Sequence, residues 1–178
     1  MYFATSSSAK FNEFRRILGI GTEQLNVELE EIQAIDVSAV VIHKAMQAYE
    51  KVTSPVIVED TGLYINAFGG FPGALVKWLL KSIGNEGIVK MLNNYEDKSA
   101  YAESCICLYN GNKPTIFSGR ANGIITAPKG ENGFGWDPIF MAKGKTFAEM
   151  TDAEKDAVSM RRIAIEKLKS YISEDTKQ

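Results

Sequence analysis

Residues 56–62 read Val56-Ile57-Val58-Glu59-Asp60-Thr61-Gly62: three β-branched residues, two adjacent carboxylates, a hydroxyl and a glycine. A β-branched run of this kind marks a strand buried on both faces, as in a parallel or mixed sheet covered by helices. The strand is expected from Pro55 to Val58, with a turn at Thr61-Gly62 and an extension from Leu63 to Ala67. Acids at a strand end lie where open α/β sheets bind ligands. Taken alone, the pair fits either a carboxylate site for a hard ion or a solvated strand end with an Asp turn.

The flanking sequence supplies the rest of an α/β chain. Residues 2–5 form a first strand, and Ser7 or Ser8 caps a helix to Leu18 whose apolar face is Phe11, Phe14, Ile17 and Leu18. Gly19 and Gly21 end that helix, and Leu25 to Leu29 alternates as a second strand that delivers Glu30-Glu31 to its end. Asp36 caps a helix with Val37, Val40, Val41, Ala45, Met46 and Tyr49 on its apolar side. Gly69-Gly70-Phe71-Pro72-Gly73 reads as a rigid exposed loop, followed by a short helix at Leu75–Leu80 and another from Asn85 to Leu92. Ala100–Tyr109 and Pro114–Ala127 are long antiparallel strands joined at Asn110-Gly111-Asn112. A capping box at Thr151-Asp152-Ala153-Glu154 and a second cap at Ser159 open a helical tail. The fold class is therefore α/β, a mixed central sheet with a long β-hairpin and flanking helices, forming one domain over residues 1–178 with two lobes and a central cleft.

Composition removes several classes of function. With 178 residues and 45% apolar content the chain can bury a real core. A net charge of -2 and the lack of any basic block argue against nucleic acid as a partner. No apolar run is long enough to span a bilayer, and Met1-Tyr2-Phe3-Ala4 opens directly as a strand without a secretory leader, so a cytoplasmic setting is expected. Cys105 and Cys107 alternate on one face of their strand and read as core thiols of a reducing compartment. The single histidine, His43, reads as a solvated helix position.

Three further segments carry chemistry, each with two readings. Thr5-Ser6-Ser7-Ser8-Ala9-Lys10 joins a strand to a helix, so its N–H groups, hydroxyls and lysine suit phosphate, although a serine-capped surface helix also fits. Gly133-Phe134-Gly135-Trp136-Asp137-Pro138 presents rings and one carboxylate, suited to stacking a nucleobase or to packing into the core. Met160-Arg161-Arg162 after Ser159 puts cations at a helix start, against its dipole, which an anion or carbonyl nearby would relieve. A continuous helix would instead hold Lys155 and Arg161 about 120° apart. Together these are the parts of a nucleotide hydrolase.

In this order the segments resemble the inosine triphosphate pyrophosphatase family over essentially the whole chain. Thr5 to Lys10 with Glu13 resembles its Thr-x-Asn-x-x-Lys-x-x-Glu signature, and Glu31-Ile32-Gln33 is similar to archaeal-type members. Glu59-Asp60-Thr61-Gly62-Leu63, Gly70-Phe71-Pro72-Gly73, Phe134 to Phe140, Thr146 to Met150, and Glu154-Lys155 with Ser159 and Arg161 complete the series. The resemblance implies an elongated two-lobed fold, a homodimer, and Mg²⁺-dependent hydrolysis of ITP, dITP and XTP to the monophosphate and pyrophosphate. It implies that Asp60 and Glu31 bind the metal and that Asp60 activates water. Thr5, Ser7, Lys10 and Lys155 would hold the triphosphate, within a substrate-binding set that also takes in Ser6, Ser8, Ala9 and Thr61. Phe134 would stack on the base, Gly135, Trp136, Asp137 and Met160 would line its pocket, and Arg161 would read the purine 6-oxygen. Ser7 stands in place of the usual Asn, Met160 of His, and Leu75-Val76 of Tyr-Ser; these departures bear on affinity and base selectivity and leave the metal and phosphate groups intact. A Maf-type dTTP/UTP pyrophosphatase is the nearest alternative, and a nucleotide-binding protein without turnover is another.

Overall fold

A computed structural model of the chain describes residues 1–19 and 21–175. Strands β1 (Tyr2–Ala4), β2 (Glu23–Leu25), β3 (Val56–Ile65), β4 (Pro72–Gly73), β5 (Ser99–Tyr109), β6 (Thr115–Ile125), β7 (Phe140–Ala142) and β8 (Lys145–Thr146) form one mixed sheet in the order β2-β1-β3-β5-β6-β7-β8, with β4 also on β3. β1 runs parallel to both β2 and β3, and the remaining pairs are antiparallel. Helices α1 (Ser8–Leu18), α2 (Val37–Val52), α3 (Val76–Met91), α4 (Asp152–Val158) and α5 (Met160–Asp175) cover it.

The helices form where caps and apolar stripes predict them, except that Met46, expected on the apolar side of α2, is exposed. Ser7 accepts from the Lys10 N–H and Asp36 from the Ser38 N–H, while Gly19 closes α1 in the left-handed conformation. α1 and α5 bury Phe14, Leu18, Ala164, Ile165 and Leu168 on one sheet face, where the Phe3 and Phe14 rings stack at 4.1 Å. α2 buries Val37, Val41, Ala45 and Ala48 on the other, against Val56, Val58, Cys105 and Cys107. Burial pushes both thiols up to about 12, as expected of inert core cysteines. The two helices expected around residues 75–92 meet in α3 at the non-helical Gly84.

Three sequence expectations need correction. The second strand is Glu23–Leu25, not Leu25–Leu29. β1 is three residues long and pairs Tyr2 with Glu23 and Ala4 with Leu25, so residues 26–29 run past its end with no ladder to join. Thr61-Gly62 is not a turn, because β5 pairs with β3 residue by residue from Val56↔Tyr109 to Ile65↔Ala100. Gly62 is needed there for space: a Cβ would lie 2.7 Å from the Tyr64 ring and 3.0 Å from the Gly73 carbonyl carbon. The Gly69–Gly73 loop is not wholly exposed, since Pro72 and Gly73 are buried as β4.

Gly73 also fixes the approach to α2. Its φ is +56, and an added Cβ would overlap the Ile35 carbonyl, the acceptor of the Ala74 N–H at 2.9 Å and the Tyr64 hydroxyl at 3.1 Å. Gly69 has a similar φ of +64 but open space around it. Gly69→Ala should therefore cost only the left-handed conformation, about 1 kcal/mol, whereas Gly73→Ala should add a backbone clash and lose clearly more in urea denaturation. Equal losses would show that Gly73 is not a close-packing point.

Candidate active site

One edge of β3 is shared by two short strands. β1 pairs with Val56, Ile57 and Val58, and β4 with Leu63 and Tyr64. Between them Glu59-Asp60-Thr61-Gly62 has β5 on its other edge and no strand on this one among the described residues. The parallel strands β1 and β2 end at the same window, and α1 starts there, so the acids sit at the carboxyl ends of parallel strands beside a helix N-terminus.

Alternation along β3 sends the two acids to opposite faces. Glu59 follows Ile57 into the layer under α1 and α5 and is 4% exposed. Its Oε1 accepts from Ser104 Oγ at 2.9 Å and Arg161 Nε at 3.1 Å, and Lys10 Nζ lies 3.2 Å from its Oε2. That oxygen is buried without an aligned hydrogen bond. Arg161, 3% exposed, also pairs with Glu13. Burial would raise the Glu59 pKa, but the Arg161 and Lys10 cations outweigh it and hold the carboxyl below its usual range.

Asp60 follows Val58 toward α2 and opens into a cleft. Lys10 Nζ approaches its Oδ1 at 3.3 Å, Lys44 Nζ its Oδ2 at 3.1 Å, and its own Thr61 N–H donates to Oδ1 at 2.9 Å. Against burial, which works upward, those cations and that N–H hold Asp60 down at about 2. Lys44 also pairs with Glu31 Oε1 at 2.9 Å, and Lys77 with Glu31 Oε2 at 3.3 Å. The cleft is about 1120 Å³ and is lined by Thr5, Ser6, Ser7, Lys10, Glu31 and Asp60, with Lys44, Gln47 and Trp78.

A second recess of about 270 Å³ lies on the far side of α1, between Glu13, Arg16, Phe134 and Lys155. Phe134 is 44% exposed, and Lys155 Nζ stands 5.4 Å and Arg161 Cζ 5.8 Å from its ring centroid. Asp137 accepts from Lys155 Nζ at 2.7 Å and from the Phe134 N–H at 2.9 Å. Its carboxylate packs over Gly133, where φ is +76 and a Cβ would overlap it.

A polar cleft and an aromatic recess thus lie on two sides of α1, and the profile of the Ham1 family matches residues 1–171. The chain belongs to the Ham1 family. An inosine triphosphate pyrophosphatase of Tuber melanosporum is 42% identical to it over 177 residues, 97% of this chain and 96% of its own length. A HAM1 protein from Coxiella burnetii matches with a TM-score of 0.86 at 28% identity, covering 97% of this chain and 98% of that one. A nucleoside-triphosphatase from Mycobacterium abscessus, described as a dITP/XTP pyrophosphatase, matches with a TM-score of 0.76 at 27% identity, covering 94% and 98%.

In this Ham1-family chain the expected site residues separate into groups. Thr5, Ser6, Ser7, Lys10, Glu31 and Asp60 share the cleft, with Thr61 beside Asp60. Ala9, Phe134 and Lys155 line the recess, so Lys155 stands apart from the Lys10–Lys44 pair. Ser8 and Gly135 are exposed at the helix start and the loop. Trp136 and Met160 are buried in the core, where Trp136 packs edge-on to Phe140 at 5.5 Å. Arg161 pairs with Glu59 through Nε and with Glu13 through one terminal nitrogen.

Sequence reasoning missed Lys44, Gln47, Lys77 and the role of Glu59. Lys44 had a legible signal, since it continues the Val37, Val41, Ala48 stripe on which α2 is buried. Lysine on such a stripe buries its stem and must find water or an acid for its ammonium. Glu59 carried no signal that it, rather than Asp60, would be enclosed.

The donor set fits Mg²⁺. Glu31 and Asp60 offer hard carboxylate oxygens joined by one ammonium, the Lys44 Nζ. No three His, Cys, Asp or Glu residues converge among the described residues. One or two carboxylates are what Mg²⁺ takes when waters and substrate phosphates complete its shell.

Arg161→Leu should leave Glu59 buried with one cation fewer, a change worth about 3–5 kcal/mol of folding free energy. Urea denaturation of the variant should show a loss in that range; a loss under about 1 kcal/mol would place Arg161 among ordinary surface ion pairs.

Proposed function

We propose that this chain is a nucleoside triphosphate pyrophosphatase that hydrolyses ITP, dITP and XTP to the monophosphate and pyrophosphate. The observation that carries the reading is Asp60, presented in the unpaired window of β3 between Lys10 and Lys44. A water attacks the α-phosphorus, the bond to the bridging oxygen breaks, and pyrophosphate leaves.

Lys10, Lys44 and Lys77 hold phosphate oxygens, helped by the α1 N-terminus and the hydroxyls of Thr5 and Ser6. The Ser7 oxygen accepts from the Lys10 N–H, which leaves its proton to donate. Asp60 orients the water and takes its proton. At about 2 its carboxylate is a weak base in the free protein. The Lys10 and Lys44 ammoniums that hold it there are also the groups that face an incoming phosphate. Glu31 and Asp60 would hold Mg²⁺, which would supply charge neutralisation on the phosphate oxygens.

The base stacks on Phe134 in the recess. Lys155 belongs to this side of the site rather than to the triphosphate, because it stands over the Phe134 ring. A donor from Lys155 or Arg161 suits the 6-oxygen of hypoxanthine or xanthine, whereas adenine presents an amino group to it. Such a mismatch costs a factor of about 10⁴ or more. Mg²⁺ activation, a homodimeric assembly and a cytoplasmic setting belong to the same reading and rest on the family resemblance.

The test is pyrophosphate release from ITP, dITP, XTP, GTP, ATP and dTTP, with Mg²⁺ and then with EDTA. Mg²⁺-dependent release from the first three, far above GTP and ATP, is expected. Release from dTTP alone would place the chain with the Maf type, and binding without release would make it a nucleotide-binding protein. In the same assay Phe134→Ala should raise KM for ITP about 5- to 150-fold, the worth of one base–aromatic stack, without altering the Mg²⁺ requirement. An unchanged KM would remove Phe134 from the base site.

A further inference from the structure

Glu31 sits on a stretch with no regular structure, residues 26–35, that leaves the sheet at Leu25 and rejoins the fold at α2. Such a stretch does not fix a carboxylate by itself. One face of α2 holds it. Lys44, Gln47 and Lys51 follow at i, i+3 and i+7, all lining the cleft. Lys51 Nζ donates to the Glu28 carbonyl at 2.8 Å, and Lys44 Nζ pairs with the Glu31 side chain at 2.9 Å.

Gln47 makes the central and most specific contact. Its Oε1 accepts from the Glu30 N–H at 2.9 Å and its Nε2 donates to the Glu30 carbonyl at 3.0 Å, so one amide pairs with both backbone groups of the residue before Glu31. A neighbouring strand would satisfy a backbone in the same way. His43 Nδ1 lies 2.7 Å from the same Nε2, one helical turn back. With that ring nitrogen as acceptor, both Nε2 hydrogens are used and the amide is fixed in one orientation.

We propose that Gln47 is a positioning residue for Glu31: its side-chain amide substitutes for the missing strand partner of Glu30 and so sets the metal affinity of the site. The inference rests on the proposed Mg²⁺ role of Glu31. The Gln47 amide is taken up by the Glu30 backbone and His43. It acts on backbone, so its effect falls on where the Glu31 carboxylate stands and not on the chemical step.

Gln47→Leu removes both hydrogen bonds at similar volume, and Gln47→Glu keeps only the acceptor for the Glu30 N–H. Mn²⁺ binding followed by electron paramagnetic resonance, with an ITP analogue carrying a methylene between the α and β phosphorus, reads the site without turnover. Gln47→Leu should weaken Mn²⁺ binding about 10- to 100-fold, the usual loss when the support of a metal ligand is removed. Gln47→Glu should fall between it and the wild type. The Mg²⁺ concentration for half-maximal activity should rise in step while kcat at saturating Mg²⁺ stays within about threefold, and the Glu30 amide should exchange hydrogen faster at unchanged Tm. Unchanged Mn²⁺ affinity in Gln47→Leu would overturn the proposal, as would a fall in Tm and kcat with metal affinity intact. Wild-type protein that binds Mn²⁺ more tightly than Gln47→Leu yet leaves ITP uncleaved would uphold the clamp and sink the proposed function.

Discussion

The buried carboxylate of Glu59 is the constraint on which the site depends. It joins three elements at one point: β3 supplies the acid, α5 supplies Arg161, and α1 supplies Lys10 and, through Arg161, Glu13. An ion taken out of water to this extent is costly unless its hydrogen bonds and counter-charges are all in place. Ser104, one strand away on β5, completes the set on Oε1. The arrangement also resolves a local conflict at the head of α5. A cation in the first turn opposes the helix dipole, and Arg161 is held there because Glu59 and Glu13 outweigh it.

Adjacency in a strand then divides two roles between two neighbouring acids. With a side-chain period of two, consecutive residues of β3 cannot share a face. Glu59 turns into the α1–α5 layer and ties the fold, and Asp60 turns to α2 and the cleft. Lys10 reaches both, at 3.2 and 3.3 Å, because β1 ends at Ala4 and leaves the edge open for a side chain from α1. The charges of the cluster balance locally: Glu13, Glu31, Glu59 and Asp60 face Lys10, Lys44, Lys77 and Arg161. An anion entering the cleft therefore competes with protein carboxylates for Lys10, Lys44 and Lys77.

Much of this was legible in the sequence. The caps at Ser7, Asp36, Thr151 and Ser159, the hairpin turn at residues 110–112 and the β-branched run at 56–58 each act locally, so each could be read from its own neighbourhood. The second strand was misplaced because its bounds follow the length of its partner β1, a non-local fact. The supposed turn at Thr61-Gly62 failed for the same reason: glycine there makes room for Tyr64 and β4, which sequence spacing does not reveal. Thr5, Lys10 and Asp60 line one cleft because they lie at the end of β1, the start of α1 and the open window of β3, all readable locally; Glu31 lines it as well, although the strand expected to deliver it ends at Leu25. Glu59 and Lys44 were missed as partners because their meaning lies in pairings across long sequence separations. Trp136 and Met160, expected in the base pocket, went to the core, where an indole and a thioether gain more from apolar burial.

The division between Glu59 and Asp60 is tested most directly by measuring stability and turnover together for Glu59→Gln and Asp60→Asn. The account predicts a crossed result. Glu59→Gln removes one of the two carboxylates paired with buried Arg161 and with Lys10 and loses several kcal/mol, about 3–5, in urea denaturation. Asp60→Asn loses less stability than Glu59→Gln, still binds nucleotide, and drops kcat for ITP by about 10²–10⁴. Equal stability losses with turnover retained in Asp60→Asn would contradict it.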